Sequence, residues 1–323
     1  VGLVAGVSPV LRAASALYGV GWELRRRCYA RGWLAPRGVT APVVSVGNLT
    51  VGGTGKTTLT LRLARMALAA GRNPAVVCLR YRPGPEGFSD EALMFRAALG
   101  AARVFSGPSK LEAARAAAAA GHDLVLVDDG FSHWRLARDL DLVLLDHADP
   151  WGGGRLLPAG RMREPLRALQ RADWLVLTRT PTGAPDAERR AQVARYAPAA
   201  RVAAGRHRVL GVARLDGATA ERPARARLVT ATGHPDAVEA SAREAGLDVI
   251  GHARYRDHHW FSVAEARSEL EAARRAGVPV LLTAKDAVRW PGSAVSEAWV
   301  LEVEWEWTEN GTALERAVLD AGR

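Results

Sequence analysis

The sequence predicts an α/β protein: a mostly parallel sheet with helices on both faces, plus a second, smaller α/β domain joined by a hinge. Three observations carry that expectation. Short β-branched runs alternate with helical patterns along almost the whole chain. A glycine-rich turn, G-N-L-T-V-G-G-T-G-K-T-T (47–58), joins an apolar run (42–46) to a helix-like one (59–64). A further apolar run, 124–127, ends in Asp128-Asp129-Gly130.

The elements follow in order. Ser8 and Pro9 suit a helix N-cap and a first-turn proline, and apolar residues then recur at helical spacing (Val10, Leu11, Ala14, Leu17, Tyr18, Leu24). Arg12 and Glu23 interrupt the apolar character, so no stretch there is long enough to span a bilayer. Arg25, Arg26, Arg27 and Arg31 interleave with Trp22, Tyr29 and Trp33. That pattern fits a helix lying in a membrane interface, or an amphipathic helix packed on its own domain. The basic cluster follows the apolar segment, the reverse of a signal peptide.

Strands are expected at 43–46, 75–79, 102–105, 124–127, 140–145 and 174–177, with helices at 90–99 and 110–120. Basic, extended sequence with turn residues fills about 201–221, the expected hinge. A second alternation follows: strands at 227–230, 247–251, 278–283 and 299–305, helices at 236–245 and 262–276, and a closing helix at 312–321. The segments are therefore 1–35, 36–204 and 205–323.

With 323 residues, 48% hydrophobic and 24% charged, the chain has the proportions of a globular protein of two ordinary domains. Its net charge of +10 suits nucleotide, nucleic acid or an acidic membrane face. No aromatic-basic groove pattern accompanies the charge, so nucleic acid is not expected as a partner. Cys28 and Cys78 lack metal-type spacing, and Cys78 sits in an apolar run, as a buried free thiol in a reducing compartment would.

Chemistry concentrates in a few blocks. In the 47–58 turn, backbone N–H groups of Gly52, Gly53, Thr54, Gly55, Lys56, Thr57 and Thr58 can converge on phosphate oxygens at a helix N-terminus. Lys56 would reach the β- and γ-phosphates of a nucleotide and the Thr57 hydroxyl would ligate Mg²⁺. The arrangement is P-loop NTPase-like, although Thr50 stands where the strict pattern has its first glycine. Asp128 and Asp129, at the carboxyl end of a strand, are the expected metal carboxylates, and being adjacent they take different tasks. The glycine-rich loop 152–165 offers Arg155, Arg161 and Arg163 to clamp phosphate or complement developing charge. His258 and His259, beside Asp257, could bind metal, move a proton or pair with a carboxylate. Thr283-Ala284-Lys285-Asp286 approaches a guanine-reading pattern with its lysine one place late, and no guanine specificity follows.

Taken together, six blocks resemble the tetraacyldisaccharide 4′-kinase family, in the family's order and over nearly the whole chain. They are V-G-N-L-T-V-G-G-T-G-K-T (46–57), S-D-E-A (89–92), D-D-G-F-S-H-W-R-L-A-R-D (128–139), G-R-L-L-P-A-G-R-M-R-E-P (154–165), D-H-H-W-F (257–261) and T-A-K-D-A-V-R (283–289). The resemblance implies ATP-dependent phosphorylation, with Mg²⁺, of the 4′-hydroxyl of an acylated glucosamine disaccharide 1-phosphate in lipid A biosynthesis. It implies a peripheral enzyme on the cytoplasmic face of the inner membrane, with segment 1–35 as its membrane-associating helix. Asp90 would be the base for the sugar hydroxyl, oriented by His258 or His259. Lys56 and Arg163 would join the catalytic set, and Glu91, Arg155, Arg161 and Glu164 would face the acceptor. Ser132 and Ala284 stand where the family has Gln and Glu. The competing expectation is a P-loop switch or chaperone that hydrolyses ATP or GTP to control a protein partner.

Overall fold

The structure, a computed structural model, describes residues 8–81, 83–181 and 187–322. Residues 1–7 of the expected N-terminal segment 1–35 lie outside the described residues. In chain order, α1 (Pro9–Ala30) precedes β1 (Val43–Asn48), α2 (Lys56–Ala69), β2 (Pro74–Leu79), α3 (Asp90–Leu99), β3 (Val104–Gly107) and α4 (Lys110–Ala119). Then come β4 (Leu124–Asp128), β5 (Leu140–Asp146), β6 (Trp174–Thr178), α5 (Ala187–Ala194) and β7 (Arg201–Arg214). The chain continues through β8 (Arg225–Thr230), α6 (Pro235–Glu244), β9 (Asp248–Arg254), α7 (Val263–Arg275) and β10 (Val280–Thr283). The short α8 (Ala284–Ala287), β11 (Ala298–Glu309) and α9 (Gly311–Leu319) complete it.

Two compact units result. The first comprises the chain up to Val77, Ser109–Arg206 and Trp307 onward; the second comprises Cys78–Pro108 and His207–Glu306. The division differs from the contiguous segments 36–204 and 205–323 read from the sequence. Residues 78–108 go with the second unit because α3 packs on α8, and the C-terminal helix goes with the first because α9 packs on α2. The expected hinge also takes another form: Arg201–Arg214 is one 14-residue strand. Its basic residues hide a half-exposed strand, in which Val209 and Val212 pack toward a buried cluster with Leu228 and Trp299.

Parallel strands covered on both faces read as near-continuous apolar runs, and β1, β4 and β6 are buried at every residue, with Ser45, Asn48, Asp128 and Thr178 as their polar positions. In the first unit β1 pairs in parallel with β4 and β5, β4 with β2, and β5 with β6. The register Val46↔Asp128 brings the carboxyl ends of β1 and β4 side by side. In the second unit β8 pairs in parallel with β9 and β10, and β10 with β11.

Helix starts match their sequence signals. Ser89 caps α3 by accepting from Ala92 N at 3.3 Å, and Ser262 and Glu265 form a reciprocal capping box on α7. The first helix packs on its own unit along one side: Trp22 lies edge-on against Trp134 with centroids 5.8 Å apart, and the Ser15 hydroxyl donates to Leu156 O at 2.7 Å. The other side leaves Val10, Leu17, Val20 and Leu24 at least 60% exposed. Among the described residues no helix is long and apolar enough to cross a membrane.

Candidate active site

The first unit gathers charge where β1 and β4 end. Gly47, near the end of β1, approaches Phe131 so closely that an added Cβ would lie 2.4 Å from the Phe131 Cβ, so no side chain fits there. Gly55 caps α2 with φ 87, a left-handed conformation that aims the following N–H groups along the helix start. The Lys56 ammonium donates to Asn48 Oδ1 at 3.0 Å and stands 3.6 Å from the Asp129 carboxylate. Thr54 has a buried hydroxyl with no hydrogen-bond partner among the described residues, as suits a loop group meant for a ligand.

Arg163 reaches this point through a short backbone pairing. Val51 N donates to Arg161 O and Arg163 N to Leu49 O, both at 2.8 Å, which lays the arginine segment along the entry of the glycine loop. The Arg163 guanidinium then grips Asp129 two-pronged, at 2.7 and 2.8 Å, and donates to Asn48 O at 3.0 Å. Asp129 itself has φ 53, and the Lys110 ammonium donates to its carbonyl at 2.5 Å. Desolvation alone would raise the Asp129 pKa; the Lys56 and Arg163 cations outweigh it and hold the carboxyl well below its ordinary range. Asp128 is buried, and the Thr60 hydroxyl donates to it at 3.4 Å.

Thr57, Asp128 and Asp129 present only hard oxygens, a donor set suited to Mg²⁺ and not to softer metals. The two aspartates have different surroundings: Asp129 is held by Lys56 and Arg163, and Asp128 is buried beside Thr60. Other expected residues fall differently. Arg161 is exposed and donates to Val51 O at 3.2 Å, while Arg155 is exposed on the same loop. Glu164, expected to face the acceptor, is only 3% exposed and bonds to Arg171 at 2.5 Å. It anchors the loop from below, because Arg171 lies over the Phe131 and Trp134 rings.

The second unit builds a separate cluster. Asp90, the first residue of α3, is 2% exposed, and its oxygens lie 2.9 and 3.1 Å from His258 Nδ1. His258 has φ 63, which turns its ring toward α3, and Tyr81 meets that ring edge-on. His259 points elsewhere, 3.1 Å from Glu265 and stacked on Tyr255. The structure thus assigns His258, not His259, to Asp90. Burial would raise the Asp90 pKa, but the His258 and Glu91 hydrogen bonds and the Lys285 charge hold it well below its ordinary range. Burial, with Asp90 alongside, pushes Glu91 up to about 7, so Glu91 is only part-ionised at neutral pH beside an ionised Asp90.

Several participants escaped the sequence reading. Asn48 joins Lys56 to Arg163, and Arg179, at φ 55, donates to Gly53 O of the glycine loop while pairing with Asp146. Arg289 is wholly buried 3.4 Å from Asp90. Their signals lay in the resemblance blocks, where Asn48 and Arg289 both stand, but nothing in spacing alone gave them roles.

Comparison with known proteins identifies the family. A family model described as tetraacyldisaccharide-1-P 4′-kinase matches residues 7–322. The tetraacyldisaccharide 4′-kinase of Xanthomonas axonopodis pv. citri (strain 306) is 34% identical, over 86% of this chain and 82% of its own. That of Anaeromyxobacter sp. (strain K) is 35% identical, over 99% of this chain and 91% of its own. The crystal structure of LpxK from Aquifex aeolicus in complex with ATP shares the fold, with a TM-score of 0.72 at 23% identity, covering 95% of this chain and 96% of that one. A phosphate loop, an acidic strand end and an Asp–His pair, in a chain matched from end to end, lead to one conclusion: the chain belongs to the tetraacyldisaccharide 4′-kinase family.

Proposed function

We propose that the protein transfers the γ-phosphate of ATP to the 4′-hydroxyl of a tetraacylated glucosamine disaccharide 1-phosphate, working as a peripheral enzyme on the cytoplasmic face of the inner membrane. The observation that carries the acceptor chemistry is the buried Asp90 carboxylate bonded to His258. A sugar hydroxyl is far too weak an acid to ionise beforehand. Asp90 aligns it and accepts its proton late, while His258 fixes the carboxylate's orientation. Lys56 and Arg163 complement charge on the transferring phosphoryl group, and Asn48 and Asp129 hold both cations in register. Thr57, Asp128 and Asp129 would hold Mg²⁺, which would supply further charge neutralisation. The exposed stripe Val10, Leu17, Val20 and Leu24 on α1, flanked by arginines, supports seating at a lipid surface. A nucleotide switch would need the phosphate loop but has no use for a buried Asp–His pair.

The test is transfer of labelled phosphate from ATP to the tetraacylated disaccharide 1-phosphate in detergent micelles. Label at the 4′ position, lost in Lys56→Ala, is expected. ATP binding without transfer to that lipid would overturn the acceptor assignment.

A further inference from the structure

The Asp90–His258 pair is surrounded by more negative charge than a histidine can balance. Asp90 and Glu91 come from the first turn of α3, and Asp257 from the segment after β9. One side chain answers all three. The Lys285 ammonium, in the first turn of α8, lies 3.6 Å from Asp90, 3.3 Å from Glu91 and 3.7 Å from Asp257. It is also 3.5 Å from His258 Nε2, the ring nitrogen opposite the one that faces Asp90. Arg289 adds a second cation: one guanidinium nitrogen bonds Asp286 at 2.6 Å and another lies 3.4 Å from Asp90, whereas Lys285 also reaches Glu91 and Asp257. Tyr81 sets a ring edge against His258.

We infer that Lys285 is the positioning residue of this pair: its ammonium balances the Asp90, Glu91 and Asp257 carboxyls, so that His258 can orient Asp90 without having to supply the positive charge. The inference rests on the kinase reading above and names a residue to which that reading gives no role. Asp90, Glu91 and His258 also bring ligand atoms within 4.8 Å of one another, as a metal site would. Lys285 stands within 3.6 Å of each, and an ammonium there supplies the charge a metal would bring. Its own pKa is consistent: desolvation lowers it, but Glu91, Asp90 and Asp257 outweigh that and raise it. Thr283 fixes the position by accepting from Asp286 N at 3.1 Å, capping α8 at the turn that carries the lysine.

The experiment compares wild type, Lys285→Met and Lys285→Arg in two readouts. The first is kcat and the KM for ATP across pH 5–9. The second is the carboxyl ¹³C titration of Glu91, recorded without substrate. In Lys285→Met, kcat should fall about tenfold or more with its acidic limb moved toward neutrality, and the KM for ATP should stay within about twofold. The Glu91 titration should rise by about one pH unit, since an opposite charge within 4–6 Å has been removed. Lys285→Arg should restore the titration and most of kcat. An unmoved Glu91 titration in a folded Lys285→Met protein, or an arginine variant no better than methionine, would overturn the inference. If wild type fails to phosphorylate the lipid while the titration still moves, the kinase reading fails and the electrostatic role of Lys285 stands.

Discussion

Replacing Glu91 with Gln isolates the energetic cost of the acidic pair. The native Glu91 pKa stands at about 7 against an ordinary 4.5, because burial and Asp90 both disfavour its charge. The folded protein therefore binds that proton more tightly than the unfolded chain. The resulting stabilisation is complete below about pH 4.5 and is lost as pH rises through about 7. Integrated across that window it amounts to about 3 kcal/mol, an upper figure because the side chain keeps some contact with solvent. Glutamine imitates the protonated acid: it can still donate to Asp90 and never ionises. Glu91→Gln should match wild type within about 1 kcal/mol at pH 5 and exceed it by about 2–3 kcal/mol at pH 8.5. Urea unfolding at the two pH values, comparing midpoints at equal slopes, makes the measurement. A difference between the proteins that is the same at both pH values would refute the reasoning, and a variant less stable at pH 8.5 would reverse its sign.

Other perturbations address separate parts of the molecule. Asp90→Asn keeps the shape of the side chain but removes its proton acceptor, so kcat should drop about 10²–10⁴-fold with ATP binding retained, as read by single-turnover transfer. Arg163→Met removes both bonds to Asp129 and those to the Asn48 backbone and side-chain oxygens; at about 1.5–3 kcal/mol per charged hydrogen bond, transfer should fall at least 100-fold. Trp22→Ala empties the contact with Trp134 and should cost about 3 kcal/mol or more, read as early proteolytic release of α1. Leu17→Glu with Leu24→Glu should abolish sedimentation with anionic vesicles while leaving ATP binding unchanged, since both residues point away from the unit they dock on.

Much of this was legible in the chain. Every strand of the first unit up to β6 lay within two residues of its expected place, because buried parallel strands carry uninterrupted apolar runs between turn residues. Helix α3 matched to the residue, since Ser89 announces its start and Gly100 its end. What failed was whatever depends on contacts between distant segments. Strand β7 looked like a linker because its apolar positions are diluted by Arg206, His207 and Arg208, and the arginine's partner, Glu304, lies nearly a hundred residues away. Arg179 was invisible for a similar reason: it reaches Gly53 only through a left-handed backbone after β6. Among the described residues four non-glycines have positive φ, and Asp129, Arg179 and His258 are three of them. Such strain persists where surrounding bonds fix it, and each of these three is held by a charged partner.

The energetics of the second unit bear on the choice between a kinase and a nucleotide switch. Burying Asp90, with Glu91, Lys285 and Arg289 around it, requires removing several charges from water, a penalty that ion pairing only partly recovers. Apolar residues of similar volume would hold α3 against α8 at least as well. A switch governed by the phosphate loop would gain nothing from this arrangement. A transferase does, because a carboxylate kept ionised and oriented in a dry site is what a weakly acidic hydroxyl needs opposite it. On the proposed function, then, the two clusters have separate tasks: the glycine loop would take the nucleotide, and Asp90, between His258 and Lys285, would take the alcohol that receives the phosphate.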